Sequence, residues 1–279
     1  MSVLLHISDP HFGTEQPTVV EALVAFALRQ RPDLVVLSGD ITQRARPAEF
    51  SAAHAAMARL GAPLMAIPGN HDIPLFNVWA RLRRPYAAHI AAFGCELEPV
   101  HASPDCLVVC VNTTRAWRHK DGQVSRRQIE SVTRSLAAAR PEQLRIVVVH
   151  QPVAVTRAED VNNRLHGHAH ALRRWSEAGA DLVLGGHIHL PYVLQVHGAA
   201  RRIWAVQAGT AVSSRVRRGV PNSVNLLRWN AASSPPLCAI EQWDFSGTEQ
   251  AFVCARVSQV EPDRQGAVLH NPIEATSAI

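Results

Sequence analysis

The sequence predicts an α/β fold, because short apolar runs typical of buried strands alternate with segments of helical periodicity over its first two-thirds. Five of these runs lead directly into a polar segment that contains aspartate, asparagine or histidine. The segments are Asp9-Pro10-His11, Gly39-Asp40, Gly69-Asn70-His71-Asp72, Val149-His150 and Gly186-His187-Ile188-His189. Since ligand-binding groups gather at the carboxyl ends of strands in open α/β sheets, we expect the five segments to converge.

The first half of the chain alternates predicted strands and helices. Strands are predicted at LLHIS, DLVVLS and PLMAIP, which precede the first three polar segments. A capping-box sequence, Thr18-Val19-Val20-Glu21, opens a helix that ends near Arg31. A second helix begins at Pro47 and is closed by Gly61. Residues 73–104 are less regular, and we expect them to form helices and loops over the edge of the sheet.

The second half changes character after the last polar segment. CLVVCVNTT, RIVVV and DLVLG are predicted strands, Ser125-Arg126-Arg127-Gln128 caps a helix that runs to Arg140, and residues 162–178 form another helix. Thereafter RIWAVQAGT, SVNLLRW, AIEQWDF and AFVCARV are short runs separated by turn residues. These four runs predict an antiparallel sheet.

Length and composition bound the class of protein. A chain of 279 residues with 47% hydrophobic and 18% charged residues suits one globular domain, which we expect over residues 1–259. The polar residues 260–279 are expected to form a flexible tail. The first residues lack the basic region of a signal peptide, and no run approaches the ~20 apolar residues of a membrane helix. The expected location is therefore the cytoplasm, with no membrane partner.

The charge and the cysteines exclude other classes. The net charge of +5 comes from arginines spread along the chain, since Lys120 is the only lysine, and no long basic run or stacking aromatic stretch accompanies them. This pattern argues against a nucleic-acid partner. The cysteines number five, and no two of them form a C-x-x-C motif. A disulfide framework or a structural zinc site is not expected.

Each polar segment is a weak signal when it is taken alone. Asp9 and His11 face the same side of an extended chain, but an aspartate after a strand is more often a turn former. Asn70 offers a carbonyl oxygen to a metal, yet an Asn-His turn needs no chemistry. His150, at the end of a valine run, is in isolation a core histidine.

Two segments share the pattern G-H-x-H, and their context separates them. Gly167-His168-Ala169-His170 lies in a stretch of helical spacing, where its two histidines would point apart. Gly186-His187-Ile188-His189 follows a strand, whose alternation places both rings on one side. We therefore assign the second segment to metal binding and the first to a solvated helix face.

The complete set is far more specific than its parts. The order D-x-H, G-D, G-N-H-D, H and G-H-x-H, each after a strand, resembles the calcineurin-like metallophosphoesterase superfamily over residues 3–189, and every ligand position is present. The resemblance implies two mixed β-sheets packed as a sandwich and flanked by helices, in four layers α/β/β/α. The single-domain layout looks closest to bacterial cyclic-nucleotide-type phosphodiesterases.

The resemblance also implies a role for each residue of the set. One metal would be held by Asp9, His11, Asp40 and His189, and a second by Asp40, Asn70, His150 and His187. Asp40 would bridge the two ions. His71 would act on the leaving group or on the charge of the transition state, and Asp72 would orient it.

Charge counting gives this assignment a physical reason. Without metal, Asp9, Asp40 and Asp72 would repel a phosphate. Two divalent ions, two ligand carboxylates and a bridging hydroxide would leave the centre at about +1, which attracts an anion. In-line attack by that hydroxide needs no covalent enzyme intermediate. Mixed nitrogen and oxygen ligands suit Mn, Fe or Zn better than Mg or Ca. The expected cofactor is a pair of such ions, either both divalent or of mixed valence, and the sequence does not decide which metals they are.

The substrate is less well defined by the sequence. Arg44 lies just beyond Asp40, and Asn112 and Arg115 follow another strand, so these three are candidate substrate-binding residues, with surface or helix-start packing as the alternative. Protein phosphatases of the superfamily continue G-D-x-x with D-R-G, from which Gln43-Arg44-Ala45 departs. A phosphoprotein substrate is therefore not expected.

Three functions remain open at this point. The first is a phosphodiesterase for a small diester such as a cyclic nucleotide or a glycerophosphodiester. The second is a nuclease or nucleotide pyrophosphatase that uses the same centre. The third is a non-catalytic scaffold of the same fold, against which the complete ligand set argues. The natural substrate, the preference for monoester or diester, the metal and a possible homodimer are not decided by the residues.

Overall fold

Two six-stranded mixed sheets form the centre of the computed structural model, which describes residues 1–233 and 235–263. The strands are β1 (Ser2–Ile7), β2 (Leu34–Ser38), β3 (Leu64–Ile67), β4 (Val100–Ala102), β5 (Cys106–Cys110), β6 (Leu144–Val148), β7 (Leu182–Gly185), β8 (Tyr192–Gln195), β9 (Trp204–Gln207), β10 (Ser223–Asn230), β11 (Leu237–Ser246) and β12 (Ala251–Val260). The helices are α1 (Pro17–Gln30), α2 (Pro47–Ala58), α3 (Val78–Arg83), α4 (Ala87–Phe93), α5 (Arg126–Ala137) and α6 (His168–Glu177), with short 3-10 turns at Asn70–Asp72 and Ala158–Asn163.

The parallel strands lie on one side of the first sheet and in the middle of the second. The first sheet has the order β12-β11-β10-β1-β2-β3, in which β1, β2 and β3 run parallel and the other pairs run antiparallel. The second sheet has the order β4-β5-β6-β7-β9-β8, in which β5, β6, β7 and β9 run parallel. All five predicted polar segments therefore leave the carboxyl ends of parallel strands.

Three apolar cores hold the layers together. Between the sheets, Val36 and Ile67 of the first sheet belong to one buried cluster with Val148 and Leu184 of the second. Outside the first sheet, α1 and α2 contribute residues such as Phe26 to a second core. Outside the second sheet, α5 and α6 contribute residues of a third core. The predicted sandwich of two mixed sheets flanked by helices is confirmed.

The helix starts show which local signals decide the boundaries. The predicted capping box at Ser125 is confirmed, because Gln128 N donates to Ser125 Oγ at 3.2 Å. The capping box predicted at Thr18 is wrong, because α1 begins at Pro17, whose fixed φ suits the first helical position. The helix predicted over residues 162–178 begins only at His168, because Gly167 adopts a left-handed φ of 88° at its N-cap.

The late strands divide between the two sheets. SVNLLRW, AIEQWDF and AFVCARV form the antiparallel set β10–β12, as predicted. RIWAVQAGT does not join it, since β9 is buried and runs parallel to β7 in the second sheet. The predicted tail begins at Val260, which the structure places in β12 beside Cys238; residues 264–279 lie outside the described part of the chain. Among the described helices, none is long and apolar enough to cross a membrane.

Candidate metal centre

The structure brings the predicted ligands together in two groups. Asp9, His11 and His189 place one ligand atom each within 4.8 Å of one another, and so do Asp40, His150 and His187. Each group contains three of the four ligands predicted for one metal. The first group lacks Asp40, and the second lacks Asn70. The first group combines β1 and β7, and the second combines β2, β6 and β7.

Asp40 lies between the two groups and offers a different oxygen to each. Its Oδ1 is 3.3 Å from Nε2 of His150, and its Oδ2 is 3.8 Å from Nε2 of His11. The carboxylate is 2% exposed, so neither oxygen is freely hydrated. A carboxylate in this position can serve two cations at once.

Several buried polar atoms at the centre have no hydrogen-bond partner, which is the test of whether metal ions fit. Asn70 Oδ1, His150 Nε2 and His187 Nδ1 are all buried and unpartnered. A buried polar atom without a partner costs about 1–3 kcal/mol. Together with the Asp40 carboxylate, which lies 3.3 Å from His150 Nε2, these atoms form a set of nitrogen and oxygen ligands that a transition-metal ion would satisfy. The residues therefore fit the cofactor that the sequence predicts.

In two of the candidate ligand rings, those of His150 and His189, Nδ1 is hydrogen-bonded to a backbone carbonyl, so Nε2 is the nitrogen available to a metal. His150 Nδ1 lies 2.8 Å from the carbonyl oxygen of Ser38, and His189 Nδ1 lies 2.7 Å from that of Arg215. A carbonyl can only accept, so each Nδ1 carries the proton. Nε2 of each ring then presents its lone pair to the centre when the ring is neutral.

Backbone strain is concentrated at the same residues. Asp9, His11, Asp40, His187 and His189 all have positive φ, between 44° and 73°. Non-glycine residues in this region cost of order 1–3 kcal/mol each and persist where the surrounding structure fixes them. Two glycines of the motifs are needed because the chain is closely packed at these points. A β-carbon on Gly69 would collide with Asp40, and one on Gly186 would collide with Ser8 and Asp9. The fold thus holds these side chains in fixed directions.

The electrostatics of the metal-free centre favour charged carboxylates. Burial raises the pKa of Asp40, but the neighbouring His150 outweighs it and holds that pKa well below its usual value. Burial lowers the pKa of His150, but Asp40 and Asp9 outweigh it and raise the pKa to about 9. For His187 burial is the largest effect and outweighs the charges of Asp40 and Asp9, so the pKa of His187 is lowered to about 4. In this form a proton on His150 occupies the position that a cation would take.

The structure corrects the predicted role of Asp72. Its carboxylate accepts hydrogen bonds from the backbone N–H groups of Ile41, Thr42 and Gly69 and from the Thr42 hydroxyl, at 2.8–3.0 Å. None of these groups belongs to the ring of His71. Asp72 therefore fastens the loop after β3 to the loop after β2. Burial and the nearby Asp40 raise the pKa of Asp72 to about 7, against the effect of these hydrogen bonds.

His71 lies at the edge of the centre and is oriented by a backbone group. Its Nδ1 is 3.0 Å from the carbonyl oxygen of Gln43, so Nδ1 carries the proton. Its backbone N–H donates to Asp40 Oδ1 at 2.8 Å, which ties the position of His71 to the shared carboxylate. The remaining nitrogen, Nε2, lies 3.3 Å from Nη1 of Arg215.

The predicted substrate-binding residues are not brought together. Asn112 Oδ1 accepts from the N–H and hydroxyl of Thr114, and the guanidinium of Arg115 donates to the carbonyls of Asn112 and Thr114 and to Gln128. These bonds hold their own loop together, and neither residue lines the cavity at the metal centre. Arg44 lies closer, in a small cavity that it shares with Asn70 and His71.

Sequence reasoning missed Arg215, which reaches into the centre. Its Nη1 lies 3.2 Å from His11 Nδ1 and donates to the side-chain oxygen Oε1 of Gln43 at 3.0 Å. With Lys120, His119 and Arg217 it lines a cavity of about 600 Å³ that contains Asp40, Asn70, His71, His187 and His189. Arg215 follows β9, a parallel neighbour of β7, whereas the sequence predicted β9 to join the antiparallel set, so no sequence signal placed Arg215 at the site.

Comparisons with known proteins agree with this geometry. The family model described as calcineurin-like phosphoesterase matches residues 2–191. The chain is 40% identical over 81 residues to the glycerophosphodiester phosphodiesterase GpdQ of Enterobacter lignolyticus, covering 25% of this chain and 29% of that protein. It is 27% identical over 204 residues to a cAMP/cGMP dual specificity phosphodiesterase of Mycobacterium tuberculosis, covering 67% of this chain and 61% of that one. The matched segments thus span less than two-thirds of either relative.

A solved structure has the same fold at low sequence identity. The purple acid phosphatase PPD1 of yellow lupin superposes with a TM-score of 0.69 over 94% of this chain and 54% of the other. The two sequences are 11% identical, so the likeness concerns the fold alone.

Proposed function

This chain belongs to the calcineurin-like phosphoesterase family, and from that premise we propose that it is a metal-dependent phosphodiesterase that hydrolyses small phosphodiesters. The observation that carries the proposal is the position of Asp40, whose two oxygens face two separate groups of nitrogen and oxygen ligands. Such a shared carboxylate is what a pair of cations requires. A scaffold protein would have no need to keep it buried between unpartnered ligand atoms.

The proposed cofactor is a pair of divalent or mixed-valence transition-metal ions. One ion would be held by Asp9, His11, Asp40 and His189, and the other by Asp40, Asn70, His150 and His187. When bound, such ions supply Lewis-acid activation of water and of a phosphoryl group. Manganese, iron and zinc all suit these ligands.

The chain's own residues bind and orient the substrate. Arg215, Lys120 and Arg217 line the cavity beside the ligands and offer positive charge to the phosphoryl oxygens. Arg217 is partly engaged, since it also donates to Asp160 at 3.0 Å. Arg215 and Lys120 are therefore the groups that we assign to substrate binding.

His71 is proposed to exchange a proton with the leaving oxygen. The Gln43 carbonyl holds its Nδ1 proton, so any proton that passes to the substrate leaves from Nε2. That nitrogen lies 3.3 Å from Nη1 of Arg215, so a leaving oxygen that binds both side chains would replace this direct contact. His71 is thus the candidate general acid, and the Gln43 carbonyl is what positions it.

The names of the related proteins favour hydrolysis of a diester over that of a monoester, and a comparison of substrates can test this preference. Both curated relatives carry the name phosphodiesterase. We expect the metal-reconstituted protein to hydrolyse bis-p-nitrophenyl phosphate and 3′,5′-cyclic AMP faster than the monoester p-nitrophenyl phosphate. A clear preference for the monoester would contradict the proposal, and no turnover of any ester with two bound ions would restore the scaffold alternative.

A further inference from the structure

An apolar cavity of about 930 Å³ lies between α2, α3 and α4, beside the metal centre. Its wall includes Phe50 of α2, Leu75 and Phe76 of the loop after β3, Trp79 of α3 and Ala91 of α4. Cavities of ~300–1,000 Å³ are the size that ligands of drug-like dimensions occupy. None of the residues assigned to metal binding lines this cavity.

A small cavity beside His71 lies between the apolar cavity and the metal centre. This small cavity of about 80 Å³ is lined by Asn70, His71 and His119, which also line the cavity at the metal centre. It is lined as well by Arg44 and Leu75, which belong to the apolar cavity. The apolar cavity is therefore the neighbouring space for a substituent that extends past His71 from a phosphoryl group at the metal centre.

The rim of the cavity exposes aromatic surface under positive charge. Phe76 is 80% exposed and Trp79 is 66% exposed, which is unfavourable for rings of this size in water. The guanidinium of Arg44 lies over the ring of Phe76, 5.6 Å from its centroid. Arg46 and Arg84 line the cavity as well, so the site presents exposed cations at its rim and apolar surface inside it, which complements an anionic group attached to an apolar chain.

The lining distinguishes an alkyl chain from a nucleobase. Six of the residues that line the cavity are alanines, and its uncharged polar side chains are those of Ser51 and Asn77. Arg44, Arg46 and Arg84, all exposed, also line it; their guanidinium groups can only donate hydrogen bonds. No carboxylate lines it. The edge of a base needs several hydrogen-bond partners when it is buried, whereas a hydrocarbon chain needs none.

We propose that this cavity binds the alkyl or acyl chain of an amphiphilic phosphodiester, whose phosphoryl group lies at the metal centre. This inference rests on the proposed function for its hydrolytic part. The binding part stands by itself, because the cavity is formed by the chain without any metal ligand.

Calorimetry with monoalkyl phosphates tests the binding directly. Methyl, butyl and octyl phosphate are titrated into the full-length protein below the micelle concentration of the octyl compound. Because each methylene removed from water strengthens binding by up to about fourfold, octyl phosphate is expected to bind on the order of 100-fold more tightly than methyl phosphate. Equal affinity for all three compounds would overturn the inference.

Variants on the wall localise the effect. Ala91→Trp places a large ring in the cavity from an exposed position of α4 and is expected to remove the preference for the octyl compound. Ile90→Trp is the matched control, since Ile90 lies on the same helix, is 38% exposed and does not line the cavity. Phe76→Ala, at an exposed position, is a second variant and is expected to weaken the preference about tenfold. Unchanged selectivity in both Ala91→Trp and Phe76→Ala would overturn the assignment to this cavity.

Hydrolysis separates this inference from the proposed function. Methyl p-nitrophenyl phosphate and octyl p-nitrophenyl phosphate are compared with the metal-loaded protein, and the octyl ester is expected to have the lower KM. If neither ester is hydrolysed, the proposed function fails, while calorimetry still decides on the cavity. If both are hydrolysed with the same KM and calorimetry shows no dependence on chain length, the proposed function stands and the inference fails.

Light scattering examines the other possible occupant, a second copy of the chain. We expect the wild type and the Phe76→Ala variant to have the same mass in solution, with and without octyl phosphate. A dimer that Phe76→Ala or octyl phosphate converts into monomers would show that a second copy covers the cavity, and the inference would then be wrong.

Discussion

The metal centre and the α3–α4 segment lie side by side but are built in opposite ways. The ligands of the centre follow strands whose residues are almost all buried, and five of them hold a strained, left-handed backbone. In contrast, α3 contains no buried residue and α4 contains only His89. The difference assigns the chemistry to rigid strand ends and the choice of substituent to short helices that few contacts constrain.

The largest expected effect comes from the residue that unites the centre. Asp40→Ala removes the carboxylate that both ligand groups share, so it is expected to abolish binding of both ions and all activity above that of the metal-free protein. Metal content by mass spectrometry checks this, with Glu21→Ala, an exposed position of α1, as control. Two ions retained by Asp40→Ala would contradict the shared role.

A smaller loss is expected when the proton donor is removed and the ligands stay. His71→Ala should keep both ions and lower kcat about 10²–10⁴-fold, the range typical of general acids. His166→Ala, in the other histidine-rich segment, should leave kcat unchanged because its side chain is exposed and lies before α6. Equal kcat for His71→Ala and the wild type would remove His71 from the mechanism.

Two arginines after strands provide the next comparison. Arg215→Ala should lower kcat/KM on the order of 10- to 100-fold, because a charge-assisted hydrogen bond to the phosphoryl group is lost. Arg115→Ala should leave kcat/KM unchanged and lower the free energy of unfolding by about 1 kcal/mol, because its bonds hold its own loop. Steady-state kinetics and urea unfolding of both variants separate the two roles, and a reversed pattern would contradict them.

The last comparison concerns stability rather than activity, and it tests how α4 is held on α2. His89 packs between Phe50 and Phe93, and burial lowers its pKa to about 4. The unfolded chain binds a proton near the ordinary value of 6.5. Stability is therefore complete above pH 6.5 and falls as the pH drops from 6.5 towards 4, by up to about 3 kcal/mol.

His89→Leu removes this titration and gives the control. Its unfolding free energy should depend less on pH between 6.5 and 4 than that of the wild type, while both proteins keep the same activity at neutral pH. Parallel pH profiles for the two proteins would show that the ring of His89 accepts a proton in the folded state without cost.

The sequence was sufficient to predict that the proposed ligands lie together, but not which residues surround them. Asp9, Asp40 and His187 were predictable because each follows a buried strand and a glycine or proline limits the local backbone. Asp72 was given the wrong partner, since it accepts from Ile41 and Thr42, in a loop about 30 residues away in the chain, and from Gly69, and not from the ring of His71.

The expectation that polar residues after strands gather at the site failed in two cases. In one the side chain bonds to its own loop, and in the other the strand was predicted to belong to the wrong sheet. Asn112 follows β5 as expected, but its amide closes its own turn. Arg215 was missed because β9 was predicted to belong to the antiparallel set, so the residues after β9 were not expected at the edge of the sheet where the site lies. Neither outcome can be read from spacing, because each depends on which strand lies beside which.

The central claim is that one carboxylate is shared between two cations, and anomalous diffraction from crystals grown with Mn²⁺ measures this most directly. We expect two anomalous peaks, one beside Asp9, His11 and His189 and the other beside Asn70, His150 and His187, with Asp40 in contact with both. A single peak, or two peaks of which Asp40 touches only one, would contradict the account.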